Sequence, residues 1–524
     1  MLQPSNGSVR APWTANSLRD WVHNRFAVQE VLVLANREPF THDFATDGRV
    51  TVHHSTSGLI SALEPLVRAT SGVWVAHGSG TADRVVVDGR DRLDVTSSGS
   101  VYRLRRVWLD DEELRGYYEG FSNEGLWPLC HRAYVRPIFR ADDFNTYWRV
   151  NRRFVDALCD EARSRSPLVL VQDYHFALAP LMLHERLPES AIAVFWHIPW
   201  PTWHSFEVCP MGRHLLEGML GANLIGFQTP VDCRHFLDTV EHSLEAHIDR
   251  EDYAITYAGR RTVVRAYPAS IEWPDRHVLE SPPVETCREQ IFGRLGLPPQ
   301  SRLAVGVTRL DYTKGIEEAF GAVERMLQCY PEYRDTFTFV QLAATSRERL
   351  PAYRELAERV RLAADRVNRR FGHNSWLPVV LLDAHHEPAD VYAFLRAADI
   401  CYVSSLHDGM NLVAKEFVAA RDDELGVLVL SAFAGAAREL RDALVVNPYD
   451  LDGAAHALVA ALAMSRDEQR RRMSAMRAIV AEHNAYKWAA RMLADMSRVR
   501  VPLPVDVRWP VATSGATTDF TAMI

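Results

Sequence analysis

Cations and carboxylates stand directly after several apolar runs of this sequence, and their types suit chemistry on phosphorylated, hydroxyl-rich ligands. Arg309 and Lys314 follow "RLAVGVT", Asp173 follows "LVLVQ", His197 follows "AIAVFW" and Asp408 follows "ADICYVSS". Converging cations can hold phosphates, and carboxylates between them can accept hydrogen bonds from hydroxyls. We therefore expect these five side chains to form one site for a ligand that carries both kinds of group.

Two arginines hold equivalent places after other apolar runs: Arg37 follows "VLVLA" and Arg347 follows "FTFVQLA". Unbroken apolar runs are typical of strands buried on both faces, as in parallel sheets covered by helices. Ligands of such sheets bind beyond the carboxyl ends of the strands. The residues that follow the strands are therefore expected to meet at one cleft.

The stretch "HDGMNLVAKE" (407–416) joins a buried strand to a helix. A helix that begins near Asn411 directs its free N–H groups and positive dipole end into the cleft, which predicts a phosphate site. Gly409 would let the backbone approach a ligand closely, Asp408 can accept from sugar hydroxyls, and Glu416 can reach a ribose diol. The alternative is that Asp408 only caps the helix.

Strand-like runs alternate with helical patterns twice, on either side of a polar, Pro-rich stretch. This order predicts an α/β protein of two doubly wound, Rossmann-like domains that face each other across a cleft. The predicted divisions are a mobile N-terminal segment (1–25), an N-terminal domain (26–270), a linker (271–285), a C-terminal domain (286–483), a helix that crosses back to the first domain (484–500) and a loose tail (501–524).

The composition of the chain restricts which binding partners and which cellular compartment we expect. The chain has 524 residues and a net charge of −8, which argues against a general nucleic-acid or anionic membrane surface. No stretch reaches the ~18 apolar residues that a membrane span needs, and no apolar signal region begins the chain. Seven scattered cysteines without a CxxC pair indicate reduced thiols. We expect a cytoplasmic protein with no nucleic-acid or membrane partner.

Signatures of several other site classes are missing from the sequence. There is no GxxxxGK[ST] phosphate loop, no GxGxxG turn after the first strand, no HExxH helix and no GxSxG elbow. No Cys/His cluster has zinc spacing. The adjacent His385 and His386 are interpreted as part of a solvated loop, whereas His175 and His197 are candidates either for function or for the core. We expect no metal and no cofactor.

Eight blocks of sequence together resemble one known family. The chain is similar, from about residue 30 to about residue 500, to the trehalose-6-phosphate synthases, which are retaining glycosyltransferases of the GT-B fold in family GT20. The blocks, in chain order, are "VQDYHFALAP", "FWHIPWP", "GANLIGFQTP", "TRLDYTKGI", "TSRERLPAY", "HDGMNLVAKEFVAA", "VLVLSAFAGAA" and "VVNPYD".

The resemblance implies a role for each matching residue, with the acceptor in the first domain and the nucleotide-sugar donor held mainly by the second. The implied donor-binding residues are Gly58, His197, Arg309, Lys314, Asp408, Gly409, Met410, Asn411, Leu412, Val413 and Glu416. The implied acceptor-binding residues are Arg37, Tyr118, Trp127, Asp173 and Arg347. The implied catalytic residues are Asp173, His197, Arg309, Lys314 and Asp408.

The activity implied by the resemblance is transfer of glucose from UDP-glucose to glucose 6-phosphate, giving α,α-trehalose 6-phosphate and UDP. With cations at the leaving diphosphate and no evident carboxylate nucleophile, a front-face mechanism without a metal is expected. One alternative keeps the fold but uses glycerol 3-phosphate or a cyclitol phosphate as acceptor, or GDP- or ADP-glucose as donor. Another is a non-catalytic sugar-phosphate sensor. A homo-oligomer is left open.

Four positions depart from the family pattern. Ser57 stands where a glycine is usual, His77 where a tryptophan is common, His407 where an arginine is common, and Glu38 where a small or apolar residue is common. We expect these changes to cluster near the donor and acceptor contacts. The phosphate readers remain in place, so a sugar-phosphate acceptor is still favoured.

Overall fold

The computed structural model describes residues 12–26, 30–54, 58–97, 100–373 and 376–499. In these ranges the chain builds a ten-stranded sheet from its first half, a six-stranded sheet from its second half and a separate two-stranded hairpin. Helices cover both faces of the two large sheets. The predicted α/β fold class is confirmed.

The ten-stranded sheet has the order β10-β11-β12-β9-β8-β7-β1-β4-β6-β5. Its middle strands pair in parallel. At one edge β5 pairs antiparallel with β6, and at the other edge β11 pairs antiparallel with both β10 and β12. The sequence analysis predicts only parallel strands, so the edges are a correction. The first-half strands are β1 Val31–Leu34, β2 Phe40–Phe44, β3 Val50–His54, β4 Val73–His77, β5 Arg92–Ser97, β6 Ser100–Val107, β7 Leu168–Gln172, β8 Ala191–Trp196, β9 Leu224–Phe227, β10 His247–Asp249, β11 Ala254–Tyr257 and β12 Arg260–Ala266.

The six-stranded sheet has the order β15-β14-β13-β16-β17-β18, and all its neighbouring strands pair in parallel. The order reverses direction at β13, between β14 and β16, so a cleft opens there beyond the carboxyl ends of the strands. The second-half strands are β13 Arg302–Arg309, β14 Phe337–Ala344, β15 Val379–Leu382, β16 Ile400–Val403, β17 Val427–Ser431 and β18 Leu444–Val446.

The apolar runs form buried strands because both faces of each sheet are covered. In β1, Leu32 and Leu34 join one apolar cluster, while Val31 and Val33 join the cluster on the opposite face. The helices are α1 Ala15–Phe26, α2 Gly58–Thr70, α3 Asp111–Glu113, α4 Trp127–Cys130, α5 Ala141–Glu161, α6 Ala179–Arg186, α7 Trp203–Phe206, α8 Gly212–Met219, α9 Pro230–Ser243, α10 Arg276–Glu280, α11 Val284–Leu295, α12 Ile316–Cys329, α13 Pro351–Phe371, α14 Pro388–Ala397, α15 Leu412–Ala420, α16 Leu451–Ala463, α17 Arg466–Glu482 and α18 Ala485–Arg498. A π-helical segment, Leu114–Leu126, leads into α4.

The N-terminal segment 1–25 was expected to be mobile, and the structure corrects this in part. Helix α1 begins at Ala15, and its apolar side chains Leu18 and Val22 are buried in the same cluster as β1. Burial of these side chains explains why the helix is held in place. Residues 1–11 and the predicted loose tail at 501–524 lie outside the described residues.

The chain passes between the two large sheets twice, and the two passages touch each other. The N–H of Ala485, at the start of α18, donates to the carbonyl of Ile271 at 2.8 Å. Helix α18 then packs in the first-half cluster, where Trp488 and Met492 are buried. This packing supports the proposed return of residues 484–500 to the first domain. The boundaries at 270, 285 and 483 stay a prediction.

Candidate active site

A cavity of about 390 Å³ lies between the two sheets, beyond the carboxyl ends of their central strands. It brings together fourteen of the sixteen residues that the sequence analysis assigns to the donor and acceptor sites. From the first half these are Arg37, Tyr118, Trp127, Asp173 and His197, and from the second half they are Arg309, Lys314, Arg347, Asp408, Met410, Asn411, Leu412, Val413 and Glu416.

Lys314 and Asp408 form an ion pair on the second-half side of the cavity. Lys314 Nζ lies 2.6 Å from Asp408 Oδ2, and the two side chains are only 12% and 15% exposed. Burial alone would raise the pKa of Asp408, but the charge of Lys314 holds it below its usual value. Gly315 has a φ of 63°, and a Cβ there would overlap the carbonyl oxygen of Ser404. This close approach keeps the Lys314 turn beside the turn that carries Asp408.

Arg309 is half-buried, and it has far weaker partners than Lys314. Within the described ranges its guanidinium makes one hydrogen bond, a long one of 3.4 Å to Ser346 Oγ. It also lies over the ring of Trp127, 5.5 Å from the ring centre. Burial and the neighbouring charge of Arg347 lower the pKa of Arg309. The guanidinium is therefore free to bind an anion that enters the cavity.

Helix α15 begins at the cavity with its N-terminus, as the sequence predicts. Its N-cap is Asn411, whose side chain accepts from the N–H of Ala414 at 3.2 Å. The N–H groups of Leu412 and Val413, in the first turn, have no carbonyl one turn earlier to bind. The alternative in which Asp408 caps the helix is wrong, because its carboxylate instead binds Lys314. These N–H groups and the dipole make an anion-binding end.

Of the two glycines assigned to the donor site, Gly409 does not line the cavity. Gly409 faces the first half of the chain, where a Cβ would overlap the carbonyl oxygen of His197. The expectation that it gives a ligand access to the backbone is corrected: glycine is needed there because two backbone segments touch. Gly58 begins helix α2, and its role at the donor stays a prediction.

Trp127 joins the two halves at the other side of the cavity. Arg347 lies over its ring at 4.1 Å, closer than Arg309. Arg347 also donates to Asp311 Oδ2 at 3.0 Å and to the hydroxyl of Tyr174 at 3.3 Å. Burial alone would raise the pKa of Asp311, but the charges of Arg347, Arg309 and Lys314 hold it at about 2. Asp311, to which the sequence analysis assigns no role, holds Arg347 in place.

Tyr118 completes this side from the π-helical segment. Its ring stacks on His175, with the ring centres 5.6 Å apart and the planes 12° from parallel. Burial alone would raise the pKa of Tyr118, but the charges of Arg37, Arg347 and Arg309 lower it to about 8. Three cations therefore act on one hydroxyl group. A cluster of this kind is suited to a phosphate dianion.

Asp173 and His197 lie at the ends of neighbouring strands β7 and β8. Asp173 has a φ of 71°, a strained value for a residue with a side chain, and its Oδ1 accepts the N–H of His197 at 3.0 Å. Burial raises the pKa of Asp173 to about 7. Burial also lowers the pKa of His197 to about 3, so its ring is neutral and lies 2.8 Å from Gln172 Oε1. His197 can therefore orient a ligand but does not carry charge.

Glu416 sits one turn into α15, beside Asp275. Burial, with a further contribution from Asp275, raises the pKa of Glu416 to about 8. At neutral pH Glu416 is thus a carboxylic acid that can donate as well as accept. The hydroxyl of Tyr392 donates to Asp275 Oδ2 at 2.6 Å, which fixes Asp275 at this end of the cavity.

Several side chains of the cavity wall carry a buried polar atom without a hydrogen-bond partner in the described part of the chain. These atoms are Trp127 Nε1, Gln172 Nε2, His175 Nε2, Arg347 Nε and His386 Nε2. Buried polar groups are nearly always paired, so such a group at a cavity indicates ligand binding. The solvated-loop interpretation of His386 is wrong: it lines the cavity and its Nδ1 pairs with Asp390 at 2.8 Å.

Comparison with known proteins identifies the family to which this arrangement belongs. The model of Glycosyltransferase family 20 matches residues 29–498.

The chain belongs to glycosyltransferase family 20.

Curated relatives of this family 20 glycosyltransferase include the trehalose-6-phosphate synthase of Mycobacterium avium (strain 104), 38% identical over 475 residues. The match covers 88% of this chain and 94% of the relative. A trehalose-6-phosphate synthase of Mycobacterium marinum is 37% identical, covering 91% and 95% of the two chains.

Solved structures resemble this glycosyltransferase over most of its length. One, from E. coli and bound with UDP-2-fluoro glucose, has a TM-score of 0.79 at 30% identity and covers 90% of this chain and 99% of its own. Another is an α,α-trehalose-phosphate synthase (UDP-forming) from Burkholderia xenovorans in complex with glucose-6-phosphate. Its TM-score is 0.78 at 30% identity, with coverage of 89% and 100%. The two large sheets thus form the predicted GT-B fold.

Three of the four positions where this glycosyltransferase departs from the family pattern lie away from the cavity, contrary to the prediction. His77 binds the carbonyl of Val107 at 3.2 Å, and His407 Nδ1 accepts the N–H of Arg132 at 3.1 Å. Glu38 is buried in an ion-pair network behind Arg37. None of these three lines the cavity, which corrects the prediction that they lie at the substrates. Ser57 lies outside the described residues.

Among the described residues, no group of three or more His, Cys, Asp or Glu side chains is arranged to hold a metal ion. In the same ranges, no helix has both the length and the apolar character that crossing a bilayer requires.

Proposed function

We propose that this chain is an α,α-trehalose-phosphate synthase that transfers glucose from UDP-glucose to glucose 6-phosphate, with retention of configuration and release of UDP. The observation that carries the proposal is the single cavity in which cations of both halves meet an anion-binding helix end. The mycobacterial relatives and the E. coli and B. xenovorans structures support the same donor and acceptor.

The donor diphosphate would lie between Arg309, Lys314 and the N-terminus of α15. Arg309 has no carboxylate partner among the described residues, so it can bind phosphate at once. Lys314 would exchange Asp408 for a phosphate oxygen, which releases Asp408 to accept from the hydroxyls of the glucose. Glu416 would bind the ribose diol. The backbone N–H groups of Leu412 and Val413 would complete the phosphate contacts.

The acceptor phosphate would lie against Arg37, Tyr118, Trp127 and Arg347 on the opposite side of the cavity. The hydroxyl of Tyr118 would donate a hydrogen bond to the phosphate, and the two arginines would supply positive charge. The sugar of a bound hexose phosphate would extend from this cluster toward Asp173, whose carboxylate would accept from a sugar hydroxyl. The strained backbone of Asp173 supports its placement in this role.

In the reaction, the bond between C1 of the donor glucose and the β-phosphate oxygen breaks, and its electron pair stays with the leaving UDP. The anomeric hydroxyl oxygen of the acceptor forms the new bond to C1 on the same face. Its proton passes to a phosphate oxygen of UDP. Negative charge grows on that phosphate as the bond breaks, so Arg309 and Lys314 stabilise the transition state more than the ground state.

The proposed setting is the cytoplasm, where the scattered thiols stay reduced. We also propose that residues 26–270 hold the acceptor and residues 286–483 hold the donor, because the phosphate-binding helix end and the Lys314 turn both belong to the second sheet.

A matrix of donors and acceptors tests the proposal. UDP-, GDP- and ADP-glucose are each combined with glucose 6-phosphate, glycerol 3-phosphate and a cyclitol phosphate, and nucleotide release and product mass are measured. We expect turnover with UDP-glucose and glucose 6-phosphate, and a non-reducing product with both anomeric carbons in the α configuration by NMR. Turnover only with another acceptor, or binding without any product, would refute the assignment.

A further inference from the structure

Arg106 on β6 is fully buried, and its guanidinium joins side chains from three segments beside the cavity. Its Nε donates to Glu38 Oε2 at 2.8 Å, and its Nη2 lies 2.8 Å from Asp83 Oδ1 and 3.0 Å from His42 Nδ1. The side chains of Arg106 and Asp83 have no exposed surface, and that of Glu38 is 2% exposed. Such a buried network is costly to desolvate, and it holds only with good geometry.

The same two carboxylates also bind backbone N–H groups. Glu38 Oε1 accepts the N–H of Ser79 at 2.9 Å. Asp83 accepts the N–H of Gly80 at 2.7 Å and that of His42 at 2.8 Å. The network therefore ties the loop after β1, the first strand of the hairpin and the loop after β4 into one unit.

Arg37 projects from this unit into the cavity. On its C-terminal side, Glu38 is held by Arg106. On its N-terminal side, Asn36 Oδ1 accepts from the hydroxyl of Tyr117 at 3.0 Å. The backbone of Arg37 thus lies between two residues that are each fixed by a side-chain hydrogen bond, which limits the directions its guanidinium can take.

We propose that Glu38 and Arg106 are positioning residues that direct Arg37 at the phosphate of the acceptor. The inference rests on the proposed function, in which Arg37 binds that phosphate. It accounts for a glutamate at a place where the resembled family has a small or apolar residue. Both oxygens of Glu38 already have partners, Ser79 on one and Arg106 on the other, so Glu38 does not itself bind the acceptor.

The first test replaces Glu38 by glutamine and measures KM and kcat for each substrate. The amide group of Glu38→Gln places a donor against either Arg106 or Ser79, so the loop moves and Arg37 with it. Because a misplacement of ~1 Å can cost about 10²-fold, we expect KM for glucose 6-phosphate to rise roughly 10- to 100-fold. KM for UDP-glucose should change little, whereas the melting temperature should fall, because Arg106 loses one of its two buried carboxylate partners.

The matched control is Glu161→Gln. Glu161 is another buried carboxylate of the first half, 1% exposed and 2.6 Å from Arg92, but it does not line the cavity. We expect this variant to keep both KM values. A second variant, Arg106→Lys, keeps the positive charge but lacks the planar fork that reaches two carboxylates, and we expect it to raise the acceptor KM as Glu38→Gln does.

A double-mutant cycle separates positioning from general loosening. If Glu38 acts through Arg37, then Glu38→Gln should change the acceptor KM by less than about twofold in an Arg37→Ala background. Full additivity of the two changes, or an unchanged acceptor KM in both Glu38→Gln and Arg106→Lys, would overturn the inference. Failure of the proposed function is a different outcome, because the unaltered enzyme would then not use glucose 6-phosphate at all.

Discussion

Replacing Arg309 by methionine should remove activity without removing stability. Arg309 is half-buried, and the single side-chain hydrogen bond that it makes among the described residues is 3.4 Å long. Desolvation together with the charge of Arg347 lowers its pKa. A lowered pKa of an arginine means that the folded protein disfavours its charge. The Arg309→Met variant should therefore unfold at the same temperature as the unaltered enzyme or higher, since strained active-site charge reduces stability.

The loss of activity follows from the reaction. One preorganised donor at developing negative charge contributes about 2.7–4 kcal/mol to the transition state, so kcat should fall roughly 10²–10³-fold in Arg309→Met. Arg309→Lys keeps a charge at the cavity and should recover part of this loss. The assay is the release of UDP at saturating concentrations of both substrates, with the melting temperature measured on the same preparations.

Arg288 provides the contrast within the same half of the chain. Its guanidinium donates to the carbonyls of Ala397 at 2.8 Å and Ser301 at 2.9 Å and lies 3.2 Å from Asp399. Arg288→Met should lower the free energy of unfolding by about 1–3 kcal/mol, because buried acceptors lose their donors, and should leave kcat unchanged. The reasoning fails if Arg309→Met keeps kcat within about threefold, or if it loses stability as Arg288→Met does.

Three further predictions follow from the site. Arg347→Ala should raise KM for glucose 6-phosphate and lower the free energy of unfolding by about 3–5 kcal/mol, because Asp311 is left buried without its partner. Adding Asp311→Asn to this variant should restore stability in denaturant unfolding but should not restore KM. An unchanged KM for glucose 6-phosphate in Arg347→Ala would show that the phosphate lies elsewhere. Because burial raises the pKa of Asp173 to about 7, the folded protein holds a proton there that the unfolded chain releases near pH 4, so its contribution to stability falls as pH rises from about 4 to about 7. The unfolding free energy of Asp173→Asn minus that of the unaltered enzyme should rise over that range, and a flat difference would contradict the assignment. His386→Ala should raise KM for UDP-glucose and leave that for glucose 6-phosphate unchanged, which initial rates with each substrate varied in turn would check; equal changes in both would exclude a donor-side role.

The residues that follow strands could be predicted because one rule of sheet geometry places them. Unbroken apolar runs identify β7, β8, β13 and β16, and the residues after them, Asp173, His197, Arg309 and Asp408, do meet in one cavity. The rule needs only the strands and their parallel order. Tyr118 follows no strand, since it lies in a π-helical segment, and only the family resemblance indicated it.

Contacts between distant side chains could not be predicted from local pattern. Glu38 and Arg106 are far apart in the sequence, and nothing near either one shows that a buried pair forms. The capping residue is a similar case, because Asp408 and Asn411 are both good N-caps and the choice depends on where the backbone turns. Asn411, with a φ of 74°, caps the helix, whereas Asp408 forms an ion pair with Lys314. The hydrophilic sequence neighbours of His386 predict a solvent-exposed loop, but in the fold its side chain lines the cavity.

The cations of the cavity differ in how far the protein neutralises them, and this difference separates binding from catalysis. Arg347 is paired with Asp311, so its charge is largely balanced before any ligand enters and it costs the folded state little. Lys314 is paired with Asp408. Both members gain a new partner in the donor, Lys314 a phosphate oxygen and Asp408 the sugar hydroxyls, so the exchange leaves neither without a hydrogen-bond partner. Arg309 alone of these three has no carboxylate partner among the described residues. A positive charge without a carboxylate partner therefore lies where the leaving diphosphate develops negative charge, and the reaction itself supplies its counter-ion.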